Sequence, residues 1–184
     1  MTYTIIAGVN GVGKSSFIGA KKKDHPEFGR IINADELARI YEGSFAGGRK
    51  AVEMINYCIE NKMDFTQETT LSGKTIIRNV MKARQAGYTV KMYYIAVSSA
   101  EESITRIENR VRKGGHDIPD EDVVRRFENR IDDIRKISAL IDSAEFYDNE
   151  NGYRLVGVMN GGEIIVFDDA PGWMTMIKER CYGY

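Results

Sequence analysis

The run Gly8-Val9-Asn10-Gly11-Val12-Gly13-Lys14-Ser15 constrains this chain more than any other feature, because it matches G-x-x-x-x-G-K-[ST] and stands between a strand-like and a helix-like segment. Thr2 to Ala7, rich in β-branched and aromatic residues, predicts a buried strand, and Lys14 to Lys23 predicts a helix seated on the turn. Glycines in such a turn let successive backbone N–H groups face phosphate oxygens, and the helix start adds its positive dipole end. Lys14 is expected to reach the β- and γ-phosphates of ATP or GTP, and Ser15 to bind Mg²⁺. The expected nucleotide contacts are Gly8, Asn10, Gly11, Val12, Gly13, Lys14, Ser15 and Ser16. A glycine turn made for packing alone does not explain Lys14-Ser15, and a dinucleotide fingerprint would need a third glycine where Ser16 stands.

Strand-like and helix-like segments alternate through the chain. Gly29 to Asn33 reads as a second strand and Met63 to Thr66 as a third, ending at Gln67-Glu68; Tyr88 to Val97 reads as a central one. Helical spacing runs over Glu36 to Tyr41, from Ala51 to Ile59 after Gly47-Gly48, over Ile76 to Ala86, over Ser99 to Val111 and over Glu121 to Ile141. Two short runs, Arg154 to Met159 and Glu163 to Phe167, flank Asn160-Gly161-Gly162 and predict a hairpin. The pattern predicts an α/β three-layer sandwich: a mainly parallel sheet with helices on both faces, a helical lid over about residues 105–130 and a C-terminal hairpin over about 153–168. The 184 residues are expected to form one domain, 1–184, since nothing reads as a repeat or linker.

Charge and cysteine content narrow the partners. A formal net charge of −1 argues against nucleic acid, and Lys21-Lys22-Lys23 reads as a solvated helix end. No apolar stretch approaches the ~20 residues that cross a bilayer. Cys58 and Cys181 lack metal-ligand spacing and follow no leader, so free thiols in a reducing cytoplasm are expected.

Ligands of open α/β sheets collect at the carboxyl ends of strands, where Asp35 and Glu68 fall. Asp35 is either a base for an attacking hydroxyl or the N-cap of the helix starting at Glu36. Glu68 either orients an acceptor, holds Mg²⁺ through water, or caps the Thr69-Thr70 turn. Arg106, Arg110, Arg112, Arg125, Arg126 and Arg130 surround Gly114-Gly115-His116, as in a hinged lid that brings arginines to a transferring phosphoryl group. The alternative is a solvated surface on which Glu108, Glu128, Asp132 and Asp133 pair with them. His116 reads as a structural or exposed histidine near a turn.

Taken in order, Gly8 to Ser15, Asn33-Ala34-Asp35-Glu36, Gln67-Glu68-Thr69-Thr70-Leu71-Ser72, Arg112 to Pro119 and Tyr147-Asp148-Asn149 resemble the motifs of zeta-toxin-like P-loop kinases over nearly the whole chain. The resemblance implies phosphorylation of UDP-N-acetylglucosamine or a related nucleotide sugar, with Lys14 and Ser15 serving ATP and Mg²⁺ and Asp35 as base. It further implies that Glu68 and Thr69 contact the acceptor, and that Arg112 and Arg125 meet the transferring phosphate, with Arg126 as the substitute for Arg125 beside the substrate. A small helical antitoxin that blocks the nucleotide site is the partner it implies. The chain is shorter than many toxic members and carries its own C-terminal hairpin, which points to a reshaped acceptor pocket. A nucleoside, an antibiotic or a polynucleotide 5′-hydroxyl as acceptor, and an NTP-dependent binding switch, remain the alternatives. Tyr147 and Asn149 lie either near the adenine or in a plain turn.

Overall fold

The computed structural model describes residues 1–41 and 43–183. In chain order its elements are β1 (Thr2–Ala7), α1 (Lys14–Lys21), β2 (Arg30–Asn33), α2 (Ala34–Ile40), α3 (Ser44–Glu60), β3 (Phe65–Thr69), α4 (Thr75–Gln85) and β4 (Thr89–Ala96). There follow α5 (Ala100–Arg112), α6 (Asp120–Ser138), β5 (Ser143–Asp148), β6 (Arg154–Asn160), β7 (Glu163–Val166) and α7 (Gly172–Ile177). Among the described residues these strands make one sheet in the order β2-β3-β1-β4-β5-β6-β7. The first five in that order pair in parallel, and β6 and β7 are antiparallel additions.

Strands β1 and β4, at the middle of the sheet, are mostly apolar because both of their faces are covered. In β1, Tyr3, Ile5 and Ala7 enter the core on one face, while Ile6 enters a second core on the other. Strand β4 repeats this with Val90, Met92 and Tyr94 on the first face and Tyr93 and Ile95 on the second. Helix α6 adds Ile131, Ile134 and Ile137 to the first core, and α1 adds Phe17 and Ile18 to the second, which gives the three-layer α/β sandwich of P-loop enzymes. Fully burying one such side chain contributes about 1.5–3 kcal/mol. No helix among the described residues is long and apolar enough to cross a membrane.

Two sequence expectations are corrected and two elements are added. The third strand is Phe65–Thr69, not Met63 to Thr66, because pairing of Gln67 with both Ile5 and Ile32 draws the Gln67-Glu68 pair into the sheet. Helix α3 starts at Ser44, ahead of Gly47-Gly48. Gly47 lies inside it because α2 passes so close that a Cβ there would stand 2.3 Å from the Ala38 nitrogen. Strand β5 is added to the sequence reading and takes in Tyr147 and Asp148, so that run is no plain turn. Helix α7 is likewise added; it buries Trp173, Met174 and Ile177. The expected hairpin is formed by β6 and β7 around Gly161-Gly162.

Candidate active site

Strand β1 delivers the chain into the phosphate loop, and α1 begins at its far end on Lys14. Gly13 precedes α1 with φ 96° and provides no side-chain cap, so the helix's first amides face the cleft without a side-chain acceptor, as an anion site requires. Gly11, at φ 83°, packs on α5 so tightly that a Cβ would stand 2.4 Å from the Ser103 carbonyl oxygen. Lys14 is buried and its Nζ donates to the Val9 carbonyl oxygen at 3.0 Å, spanning the loop. Burial holds the Lys14 ammonium below its ordinary pKa, and Arg110 and Arg126 push the same way, against the pull of Glu68 and Asp35. An uncapped helix start with a buried ammonium fits a nucleotide triphosphate.

Ser15 Oγ donates to Oε1 and Oε2 of Glu68, each at 3.0 Å. A hydroxyl beside a carboxylate is an all-oxygen donor set suited to Mg²⁺, so these are the residues that fit the metal. Glu68 does not cap the Thr69-Thr70 turn: Thr69 Oγ1 accepts from the Leu71 N–H at 3.0 Å instead. Asp35 does not cap α2 either. Asn33 is the cap, its Oδ1 accepting from the N–H of Asp35 at 2.9 Å and of Glu36 at 3.3 Å. Strand β2 pairs Asn33 with Glu68 in register, and this sets Asp35 just past the same sheet edge.

Two cavities, each of about 680 Å³, meet at Lys14, Asn33, Asp35 and Glu68. One lies over the phosphate loop and is bounded by Arg106, Arg110, His116, Asn149 and Tyr153. The other lies between β3, α3 and α4, with Thr69, Gln67, Asn79, Phe45, Arg49 and Arg78 in its wall. A phosphoryl donor in the first and an acceptor in the second would face each other across Lys14, Asp35 and Glu68.

The structure brings Lys14, Ser15, Ser16, Asp35, Glu68, Thr69 and Arg126 together at these cavities, with Asn10, Gly11 and Gly13 of the loop. Gly8, Val9 and Val12 support the loop from behind, with Val12 fully buried. It does not bring Arg112 and Arg125 there. Arg112, 73% exposed, pairs with Glu108 at 3.5 Å, and Arg125, 64% exposed, pairs with Asp122 at 2.6 Å. Arg106 and Arg110 border the cavity over the phosphate loop, and Arg126 lines the other and donates to Asn10 Oδ1. Arg110 is braced by the His116 carbonyl oxygen at 2.6 Å. Helical phase carries the signal that separates them. Arg110 falls beside the buried Ser103 and Ile107 on α5 and Arg126 beside the buried Val123 of α6, whereas Arg112 and Arg125 fall on the opposite faces.

Comparisons with known proteins bear on the family and the fold. The family model described as zeta toxin matches residues 18–156. An uncharacterized protein of Haemophilus influenzae is 32% identical over 124 residues, which cover 64% of this chain and 86% of that protein. A solved structure of the PezAT chromosomal toxin-antitoxin system of Streptococcus pneumoniae superposes with a TM-score of 0.64 at 15% identity, covering 100% of this chain and 79% of that one. The AvrRxo1-ORF1:ORF2 structure with ATP superposes with a TM-score of 0.70 at 17% identity, over 96% of this chain and 63% of that one. At these identities the structural likeness carries the fold, and the family match carries the membership. The chain belongs to the zeta toxin family and is a P-loop, ATP-dependent kinase.

Proposed function

We propose that the protein transfers the γ-phosphoryl group of ATP to a sugar hydroxyl of UDP-N-acetylglucosamine or a related nucleotide sugar, with Asp35 as base. The observation that carries this reading is the wall shared by the two cavities, in which Lys14, Asp35 and Glu68 stand together. The acceptor oxygen forms its bond to the γ-phosphorus as the bond to the β–γ bridging oxygen breaks, ADP leaves, and the hydroxyl proton passes to the Asp35 carboxylate. Since Asn33 already caps α2, the Asp35 carboxylate is available for that proton. Lys14 grips the donor's phosphates, and Arg110 and Arg126 take the charge role that the family resemblance implies for Arg112 and Arg125. Ser15 and Glu68 would hold Mg²⁺, which would supply positive charge against the donor's phosphates.

The acceptor side favours an anionic, nucleotide-like substrate over a neutral sugar. Arg49 and Arg78 line it, and the cavity's Glu53 is already engaged by Lys50 at 3.1 Å. Phe45, 78% exposed, offers a face on which a base can stack. We read residues 1–184 as one kinase domain acting in the cytoplasm, with a small antitoxin protein over the nucleotide cavity as its partner.

The test is transfer from γ-labelled ATP to a panel of UDP-sugars, free sugars, nucleosides, an aminoglycoside and a 5′-hydroxyl oligonucleotide. Labelling of the UDP-sugars alone is the expected result. Labelling of the oligonucleotide or nucleosides instead would replace the acceptor, and tight ATP binding with no labelled product would favour a nucleotide-dependent switch.

A further inference from the structure

Tyr147-Asp148 ends β5, and the residues from Asn149 to Tyr153 fold back against the phosphate loop. Asn149 Nδ2 donates to the Val12 carbonyl oxygen at 2.8 Å, and Tyr153 Oη donates at 2.7 Å to the Gly13 carbonyl oxygen, which also accepts the first bond of α1 from the Phe17 N–H at 2.9 Å. These are consecutive peptides of the loop. In a planar trans peptide the carbonyl and the N–H point opposite ways, so each bond that fixes a carbonyl also aims an amide. The amides aimed here are those of Gly13 and Lys14, the last of the loop and the first of α1. The turn approaches so closely that a Cβ on Gly13 would stand 2.7 Å from Asn149 Nδ2 and 2.9 Å from Tyr153 Oη.

The turn is itself held in place. Arg106 donates to the Asn149 carbonyl oxygen at 2.7 Å while its Nε donates to Glu102 at 2.6 Å, and Glu150 accepts from the Ser98 N–H at 2.6 Å. The Tyr153 ring packs edge-on against Phe17 at 5.1 Å between centroids, which fixes the hydroxyl's direction. Both Asn149 and Tyr153 also border the nucleotide cavity.

We propose that Asn149 and Tyr153 are positioning residues for the nucleotide's phosphates, acting through the peptide planes of Val12-Gly13 and Gly13-Lys14. This rests on the reading that the loop holds ATP, and it differs from an adenine contact by Asn149, which would act on the base. The distinction is accessible with a ligand that has phosphates and no base.

The experiment measures binding of ATP and of inorganic tripolyphosphate, each with Mg²⁺, by calorimetry to the parent protein, Tyr153→Phe and Asn149→Ala. Losing one well-placed hydrogen bond that aims an amide is expected to weaken both ligands by about tenfold, and by similar factors for the two. UDP-sugar affinity is expected to stay at the parent value, which a general loss of structure would not allow. Tyr153→Phe keeps the ring against Phe17 and carries the test alone if Asn149→Ala does not fold. Unchanged tripolyphosphate binding overturns the proposal, whether or not ATP weakens. A parent protein that binds neither ligand overturns the nucleotide reading itself, whereas a parent that binds both with unaffected variants overturns only the positioning role.

Discussion

The hydroxyl of Ser15 lies 3.0 Å from both carboxylate oxygens of Glu68, so the first turn of α1 and the end of β3 are joined at the point where a metal fits. The same carboxylate lines both cavities.

Replacing Glu68 with Gln keeps the hydrogen bond from Ser15 and removes the charge. The expected outcome is a turnover lowered by about 10²-fold or more, with a higher Mg²⁺ concentration needed for half-maximal rate. A magnesium titration of the initial rate checks this, and an unchanged midpoint would separate Glu68 from the metal.

The arginines give an internal control. Arg110→Ala and Arg126→Ala are each expected to lower turnover by about 10³-fold, the scale of arginines at a transferring phosphoryl group. Arg112→Ala and Arg125→Ala, which remove only exposed ion pairs, are expected to stay within about threefold of the parent. Steady-state rates for the four variants decide it; the reverse ranking would return the role to Arg112 and Arg125.

Much of this fold was legible in the sequence, and the misses have physical causes. Strands β1 and β4 announce themselves because both faces are buried, so nearly every residue is apolar. Strand β5 does not, since Ser143 and Glu145 are only partly buried and its place depends on pairing with β4 and β6. The phosphate loop was legible because its chemistry is local in sequence, whereas Asn149 and Tyr153 meet it across separations of 137 and 140 residues. For the arginines, helical phase against Ile107 and Val123 sets Arg110 and Arg126 toward the cleft and Arg112 and Arg125, which the family resemblance implies, on the outer faces of the helices.

Lys14 links ATP affinity to pH. Burial lowers its pKa in the free protein, and a bound triphosphate raises it again, so binding takes up a proton between those two values. ATP affinity is therefore expected to fall as pH rises through that window. In the free protein the sign is opposite for stability: the cost of the buried ammonium is present below the window and is relieved as pH rises into the ordinary lysine range. Calorimetry of ATP binding in buffers of differing ionisation enthalpy checks the proton uptake, and proton release would contradict it.

On the acceptor side, Arg49→Ala and Arg78→Ala are each expected to raise KM for the UDP-sugar by about tenfold, with KM for ATP unchanged. Rates measured against each substrate in turn separate the two constants. A matched rise in both would place these arginines in general folding and not in acceptor binding.

The most direct measurement is single-turnover transfer from γ-labelled ATP to UDP-N-acetylglucosamine by the parent and by Asp35→Asn. A base at Asp35 predicts that the variant binds ATP as the parent does and transfers at least ~10²-fold more slowly. Transfer by Asp35→Asn at the parent rate would contradict it.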